Sequence, residues 1–371
     1  MQRFESKPVY FAVLMALSSM PLTSQADEAT ATGTQDGGET TLPEVSVAAP
    51  SIEEEDGYNP ARASSSKFTA PLLDTPKSVS VISDDLIKDT GSVTLQDALR
   101  NVPGITFGSA EGGGSIGDRP FIRGFDSQAS LYVDGIRDVG GQSREVFALE
   151  SVEVIKGPSG AYDGRGSAGG SINLVTKQPK AVDFISGSVG LGTDRYKRVT
   201  LDGNYLLSDQ VALRMNLLSH KADTPGRDDV DVERFGFAPS ITFGLTTPTS
   251  VNFSFYHLDS NDTPDYGLPY TYTGATKAAA DANRLANGDR PVSVDKDNFY
   301  GLTNRDFRET EANIGTATIK HAFSDTTVLR NTTRYGVTSN EYIVTVPDDS
   351  KLNVQNGSVY RSPKSRDTRT E

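Results

Sequence analysis

Strict two-residue alternation along the second half of the chain is the feature that most constrains its fold. Within residues 233–245, Phe235 and Phe237 fall on one side of an extended segment, whereas Gly236 and Ser240 fall on the other. Because successive side chains of a strand point to opposite faces, this pattern predicts strands with one apolar and one small or polar face. The pattern recurs in seven segments: 184–191, 196–206, 211–220, 233–245, 250–258, 311–323 and 327–338.

The connections between these segments favour a membrane-spanning barrel over a soluble sandwich. A sandwich also has strands with one apolar face, so alternation alone fits both folds. Tight turns at 207–210, 246–249 and 324–326 alternate here with long polar connections at 221–232 and 259–310. Short turns at one end and long loops at the other are typical of outer-membrane barrels, and a structureless loop of about fifty residues is rare in a sandwich. Residues 183–371 are therefore predicted to supply antiparallel transmembrane β-barrel strands.

The N-terminus has the composition of an export signal. Two basic residues precede the apolar run Val9–Leu17, and the tripeptide Ser24-Gln25-Ala26 has the small-x-small pattern of a cleavage site. The apolar run is shorter than the roughly twenty residues that a membrane-spanning helix needs. We predict that residues 1–26 are a signal peptide and that residues 27–67, rich in Thr, Ala, Gly, Glu and Pro, are a flexible periplasmic tail.

Composition argues against several classes of function. The chain has no cysteine, which removes disulfides, thiolate metal sites and cysteine nucleophiles, and its three histidines are far apart in sequence. The net charge of −13 speaks against nucleic-acid binding, which needs a basic face to displace counterions. No catalytic constellation is visible. We predict a protein that is not an enzyme, with no metal site and no cofactor.

Residues 68–178 are predicted to form a small α+β domain. Short apolar runs are separated by turns rich in Gly, Asp and Arg, which is typical of short strands joined by tight loops. A short amphipathic helix is predicted at Thr94–Asn101, before Pro103-Gly104. The predicted strands are Ser78–Ile82, Ser130–Val133, Ser151–Ile155 and Ser171–Thr176.

One glycine motif in this domain matches a cofactor fingerprint only formally. Gly164–Gly169 fits GxGxxG, but that fingerprint requires a helix to begin at its third glycine. Here Ile172–Val175 follows and has the pattern of a strand. The glycines are therefore predicted to serve close packing. Most arginines of the domain are expected to form internal ion pairs, and Arg144, in a loop rich in donors, is the arginine predicted to reach a ligand.

Several motifs of this domain, in order and spacing, resemble the plug domain of TonB-dependent outer-membrane receptors. The sequence from Ser143 to Asn173 is most similar to the catecholate siderophore branch of that family. The motifs are Leu95–Leu99 (LQDAL), Val102–Ile105 (VPGI), Ile122–Phe125 (IRGF), Tyr132–Gly135 (YVDG), Val152–Pro158 (VEVIKGP) and Gly169–Asn173 (GGSIN).

The resemblance implies import of a ferric siderophore across a Gram-negative outer membrane. Iron is then cargo within the siderophore and not a cofactor. On this basis the outer end of the plug is expected to contact the ligand, and two tyrosines of the long outer loop are candidate stacking surfaces. The candidates are Glu111, Arg119, Gln142, Ser143 and Arg144 in the plug, and Tyr266 and Tyr270 in the outer loop.

The resemblance also implies partners. The alternating hexapeptide in the tail is identified as a TonB box near 42–48, a segment that adds as a strand to the periplasmic protein TonB. TonB would act with its inner-membrane energising complex, and the strands would contact outer-membrane lipid and lipopolysaccharide. The hexapeptide is Leu42, Pro43, Glu44, Val45, Ser46 and Val47.

The chain departs from the family in its number of strands. A 22-stranded barrel with a plugged lumen is the expected form, and the sequence supplies about a third of it before the polar run Arg361–Glu371. We expect an incomplete barrel from a C-terminally truncated receptor. Two alternatives stay open: a TonB-dependent receptor for haem, cobalamin or a glycan, or a remnant that does not transport.

Overall fold

The computed structural model describes residues 57–58, 60–65, 67–68, 70–108, 117–158, 160, 168–269, 294–348 and 360–371. The predicted signal peptide and TonB box lie outside this part of the chain, as do Glu111 and Tyr270. No helix within the described ranges has the length and apolar character that crossing a membrane requires.

The first part of the described chain is a small domain built on a five-stranded sheet. Its strand order is β1-β7-β8-β5-β6, with β5 and β8 parallel and the other neighbours antiparallel. Strands β2, β3 and β4 form a separate three-stranded sheet. The elements are β1 Ser78–Ser83, α1 Asp84–Asp89, α2 Leu95–Leu99, β2 Ile105–Phe107, β3 Pro120–Ile122, β4 Phe125–Asp126, β5 Leu131–Val133, β6 Ile136–Arg137, β7 Leu149–Lys156 and β8 Gly170–Thr176.

Helix α2 begins where its sequence provides a capping box. The Thr94 hydroxyl accepts the N–H of Asp97 at 3.2 Å, and the Asp97 carboxylate accepts the N–H of Thr94 at 3.2 Å. These two bonds satisfy backbone donors that the first helical turn leaves unpaired. The helix predicted at Thr94–Asn101 is therefore present, one residue shorter at its start and two at its end.

Strand β7 is buried on both faces, because different parts of the small domain cover each one. Val152 and Val154 point into the main core with α2. Ile155 points to the other face, where it packs with Ala63 and Phe68. Ala63 and Phe68 therefore cover the second face of the central strand, so the chain just before the small domain is part of its packing.

The second part is one antiparallel sheet of eight strands in sequence order, here called the large sheet. All seven predicted strands are present, and several run further than the alternation indicates. Its strands are β9 Phe184–Leu191, β10 Lys197–Ser208, β11 Val211–Asp223, β12 Asp231–Phe243, β13 Thr249–Asp262, β14 Phe307–Ser324, β15 Thr327–Asp348 and β16 Tyr360–Thr370.

Strand β16 includes most of the polar run 361–371. The alternation does not predict this strand, because the run has no aliphatic or aromatic positions from which to read a two-residue period. It pairs with β15 from Asp348 opposite Tyr360 to Thr338 opposite Thr370. Backbone pairing with a long neighbour therefore defines this strand, and its side-chain pattern does not.

The large sheet has its polar face inside and its apolar face exposed. On the outer face Val189 is 73% exposed and Tyr335 is 69% exposed. On the inner face, against the small domain, Arg214, Asn216 and Thr242 are buried. A soluble sandwich would have the opposite polarity, whereas strands that meet hydrocarbon on one side have this one.

Candidate functional site

The boundary between the small domain and the large sheet is held by charged side chains that are shielded from water. The Glu145 carboxylate accepts hydrogen bonds from Arg198 of β10 and Arg234 of β12, each at 2.7 Å. The Glu145 side chain is 0% exposed and that of Arg198 is 8% exposed. Hydrogen bonds between ionised groups are stronger than neutral ones, and here two arginines share one carboxylate. This cluster clamps the small domain to two strands at once.

A second ion cluster lies further along the same boundary. Arg214 of β11 contacts Asp202 of β10 at 2.8 Å and Glu150 of the small domain at 3.1 Å. Lys177 contacts Asp202 at 3.0 Å, and Lys180 contacts Glu150 at 2.8 Å. Burial raises the pKa of Glu150, but the hydrogen bond from Lys180 and the charge of Arg214 outweigh it and hold that pKa below its usual value.

Arg144 is enclosed by acceptors of its own domain. Its guanidinium donates to Asp138 at 2.9 and 3.0 Å, to Asp118 at 3.1 Å and to the carbonyls of Gly140 at 3.0 Å and Gln142 at 3.4 Å. All five N–H donors are therefore directed at protein oxygens. Its side chain is 5% exposed. In this structure Arg144 holds the 138–142 loop against residue 118, and its contact with a ligand stays a prediction.

The two carboxylates around Arg144 differ in their acidity. For Asp138, burial raises the pKa, but the charges of Arg144 and Arg334 outweigh it and leave the pKa below its usual value. For Asp118, burial is the larger effect, and the Arg144 charge offsets it only in part, so its pKa stays above the usual value. Acid therefore lowers the stability of the fold through Asp138 and raises it through Asp118.

The other candidate ligand residues in the described small domain lie close to this loop. The Asp118 N–H donates to the Gln142 carbonyl at 3.1 Å, which brings the 117–119 segment beside Gln142 and Ser143. Gln142 is buried, Ser143 is half-buried, and Arg119 pairs with Asp126 at 2.9 Å. The fold thus gathers Arg119, Gln142 and Ser143 in one region. Their contact with a ligand stays a prediction.

Tyr266 lies in the loop after β13, where a neighbouring loop holds the chain. Arg227, between β11 and β12, donates to both carboxylate oxygens of Asp265, at 2.6 and 2.9 Å. The Lys364 ammonium lies 5.6 Å from the centre of the Tyr266 ring. A bidentate arginine fixes the orientation of the loop as well as its position. The base of this long connection is therefore ordered against its neighbours.

The segment before the small domain is held by a buried carboxylate in its central strand. The Glu153 side chain accepts the N–H of Ser64 at 2.5 Å and that of Ser65 at 3.4 Å. It also accepts the side-chain amide of Asn173 at 2.8 Å. Glu153 itself is 0% exposed. Together with the Ala63 and Phe68 contacts, it attaches the preceding chain to the middle of β7.

The comparisons with known proteins agree with this architecture. The family model of the TonB-dependent receptor plug domain matches residues 71–171. The chain is 44% identical over 370 residues to the probable TonB-dependent siderophore receptor PiuA of Acinetobacter baumannii, covering 100% of this chain and 47% of PiuA. It is 36% identical over 346 residues to the catecholate siderophore receptor Fiu of Escherichia coli, covering 93% of this chain and 44% of Fiu. The chain belongs to the TonB-dependent receptors.

Solved structures show the same relationship for this TonB-dependent receptor. The crystal structure of PiuA aligns at a TM-score of 0.78 and 46% identity, covering 85% of this chain and 44% of that one. The open form of Fiu aligns at 0.74 and 36% identity, covering 83% and 47%. The predicted fold class, an α+β plug followed by antiparallel barrel strands, is confirmed. The chain spans about half the length of the curated relatives it matches.

Sequence reasoning missed the residues that attach the plug of this receptor. Glu145 and Glu153 carry no motif that predicts their partners, which lie 53 and 89 positions away in sequence. One signal was available. Arg214 and Asp202 interrupt the small, polar face of their strands with full charges, and a charge on the inner face of a barrel needs a partner there.

Proposed function

We propose that the receptor imports a ferric siderophore across the outer membrane of a Gram-negative bacterium. The observation that supports this most is a plug-type domain clamped by buried ion pairs to the polar face of the large sheet. A domain in that position blocks passage until it moves. The similarity to PiuA and Fiu, which are named as siderophore receptors, supports the nature of the cargo.

The cargo is proposed to be a catecholate complex, since Fiu is named for that class. Arg119, Gln142 and Ser143 would present donors to it, with Glu111 in the adjoining glycine-rich stretch. Tyr266 and Tyr270 would offer aromatic faces to catechol rings. Arg144 would reach the ligand when binding rearranges the 138–142 loop, which its guanidinium holds in this structure.

Energy for transport would come from TonB and its inner-membrane complex. TonB would pair with residues 42–47 by strand addition. Tension on this segment would reach the small domain at residues 63–68, which contact Glu153 and Ile155. The exposed apolar face of the large sheet would meet outer-membrane lipid and lipopolysaccharide.

The test is iron uptake by cells that lack their own siderophore receptors and express the full-length receptor. Radioactive iron is supplied as a ferric catecholate, as a ferric hydroxamate or as haem, with labelled cobalamin as a further cargo. Uptake from the catecholate is expected, and deletion of 42–47 should abolish uptake while leaving binding to the cells intact. Uptake of haem or cobalamin alone would overturn the siderophore assignment, and uptake that survives the deletion would overturn the dependence on TonB.

A further inference from the structure

Arg227 lies at the end of a turn that its local sequence specifies. Residues 224–227 read Thr-Pro-Gly-Arg, and the Arg227 N–H donates to the Thr224 carbonyl at 3.1 Å. Gly226 has a φ of +68°. Proline in the second position and a glycine with positive φ in the third are typical of a type II turn. The Thr224 N–H also donates to the Val230 carbonyl at 2.7 Å. This short loop, residues 224–230, therefore holds the backbone of Arg227 in one place.

The Arg227 side chain joins two parts of the chain that are far apart in sequence. It donates to both carboxylate oxygens of Asp265, just after β13, at 2.6 and 2.9 Å, and to the carbonyl of Lys296, before β14. Beside it the Asp228 N–H donates to the Asp297 carbonyl at 2.6 Å. The side chains of Arg227 and Asp265 are only 12% and 19% exposed. The 224–230 loop therefore holds both ends of the connection between β13 and β14.

The Asp265 carboxylate also fixes the turn that carries Tyr266. Its Oδ1 accepts the N–H of Gly267 at 2.9 Å, which is an Asx turn. Gly267 has a φ of +83°, a conformation that glycine adopts without strain. Tyr266 lies inside this turn, and its ring centre is 5.6 Å from the Lys364 ammonium. One carboxylate therefore links Arg227 to the backbone that orients the Tyr266 ring.

On the basis of the proposed function, we propose that Arg227 is a positioning residue for the cargo, which acts through Asp265 on Tyr266. The Tyr266 ring and the Lys364 ammonium offer an aromatic face and a positive charge close together. A deprotonated catechol carries a ring and negative oxygens in one group, so it can contact both. An aliphatic hydroxamate has no ring to stack. Because the ring is held before the cargo arrives, less conformational entropy is lost on binding.

Lysine at position 227 would keep the charge and lose the geometry. Its ammonium is a point charge, whereas the guanidinium directs several N–H donors in a fixed plane at Asp265 and Lys296. A comparison is available at Arg195, between β9 and β10, which donates to both oxygens of Asp223 at 2.5 and 2.6 Å. Among the described residues its side chain bonds to Asp223 alone. Arg195→Lys therefore removes the same kind of paired bond without touching the Tyr266 turn.

The first test needs no cargo. Hydrogen exchange of the backbone of residues 263–269 is measured in the full-length receptor in detergent. Arg227→Lys is expected to speed exchange of the Gly267 N–H about tenfold, because the acceptor of this N–H is no longer held. Arg195→Lys should leave that exchange unchanged. Exchange in Arg227→Lys as slow as in the unaltered receptor would overturn the positioning role, whatever the receptor transports.

The second test is the affinity of the full-length receptor for a ferric tricatecholate labelled with radioactive iron. Arg227→Lys and Tyr266→Leu are each expected to weaken binding about tenfold, and Arg195→Lys to leave it unchanged. The double variant Arg227→Lys with Tyr266→Leu should bind no more weakly than Tyr266→Leu alone, because Arg227 acts through that ring.

Losses that multiply in the double variant would mean that Arg227 acts elsewhere, and they would overturn the proposal. Unchanged affinity in Tyr266→Leu would overturn it as well. If the unaltered receptor binds no ferric tricatecholate, the proposed cargo is wrong, and the exchange result still decides whether Arg227 holds the turn.

Discussion

Glu145 of the small domain and Arg198 of the large sheet meet at 2.7 Å with both side chains shielded from water. Arg234 reaches the same carboxylate at 2.7 Å. One acid therefore pairs with two arginines that belong to different strands, and Arg234 also lies 3.9 Å from Asp262. Its loss would leave two buried cations facing each other with no shared counter-charge.

Glu145→Gln is expected to destabilise the receptor by about 3–5 kcal/mol, the usual cost of removing one partner from a buried ion pair. The measurement is urea denaturation of the full-length receptor in detergent. Glu233→Gln is the matched control, because the Lys221–Glu233 pair joins neighbouring strands at 2.7 Å with both side chains more than half exposed. That variant should lose about 1 kcal/mol or less. Equal losses would show that the Glu145 cluster is not a clamp.

Gly236 lies at a close approach of the two layers. A Cβ atom there would lie 2.8 Å from Cζ of Phe147 and 3.2 Å from the His257 carbonyl oxygen. Gly236→Ala is expected to destabilise the receptor by about 1–3 kcal/mol through overpacking. Gly203→Ala is the control in the same sheet, since its Cβ would meet nothing closer than Ile185 at 4.0 Å.

The cause of that loss can be tested by a second change. In the double variant Gly236→Ala with Phe147→Leu, the smaller side chain makes room for the new methyl group. The double variant should then lose less stability than the sum of the losses of Phe147→Leu and Gly236→Ala. Additive losses would mean that the two residues do not press on each other.

Acid is expected to weaken the small domain below about pH 4. Asp138 and Glu150 have folded-state pKa values below their usual ones. Their contribution to stability is therefore complete above the unfolded values near 4 and is lost as the pH falls through the folded values. The free energy of unfolding, measured from pH 6 to pH 3, should fall at the acid end, and less steeply in Asp138→Asn.

Asp118 provides a control with the opposite sign. Its pKa is raised in the folded state, so it takes up a proton more readily when folded, and acid favours folding through this group. Asp118→Asn removes that offset and should make the acid loss steeper. A shallower loss in Asp118→Asn would contradict the assignment of the two carboxylates.

Glu153 is expected to protect the preceding segment from protease. Arg62 and Lys67 flank Ser64 and Ser65, whose N–H groups bond to the Glu153 carboxylate. Loss of a hydrogen bond to a charged group costs about 1.5–3 kcal/mol, so Glu153→Ala should speed tryptic cleavage at these sites about tenfold or more. The control is Glu150→Ala in the same strand, whose carboxylate faces Lys180 and Arg214. Similar rates for both variants would rule out a specific attachment at Glu153.

The sequence predicted the strands well where apolar residues alternate with small or polar ones, because the residue type then indicates which face of the strand it lies on. In β12, Phe235 and Phe237 alternate with Gly236 and Ala238, and in the structure Gly236, Ser240 and Thr242 are the buried positions on one face. In β16 every position except Tyr360 and Pro363 is polar, so only its pairing with β15 shows that it is a strand. Strand ends were also missed, because β15 continues to Asp348 through residues that show no alternation from sequence alone.

The candidate site was less predictable, since its contacts join distant parts of the chain. Arg144 has the residue type and loop position of an anion ligand. Asp118, 26 residues earlier, and Asp138, six residues earlier, are brought around it by folding. No local pattern specifies that enclosure. The same holds for Glu145, whose partners are on β10 and β12.

The large sheet is apolar on its outer face and polar on its inner face, so the two faces tolerate different substitutions. On the outer face one aliphatic or aromatic residue can replace another, because hydrocarbon makes no specific contact. On the inner face Arg198 and Arg234 are matched to Glu145, so a change on one layer requires a change on the other. A chimaera that receives its small domain from a relative would therefore have to bring the facing residues of β10, β11 and β12 with it.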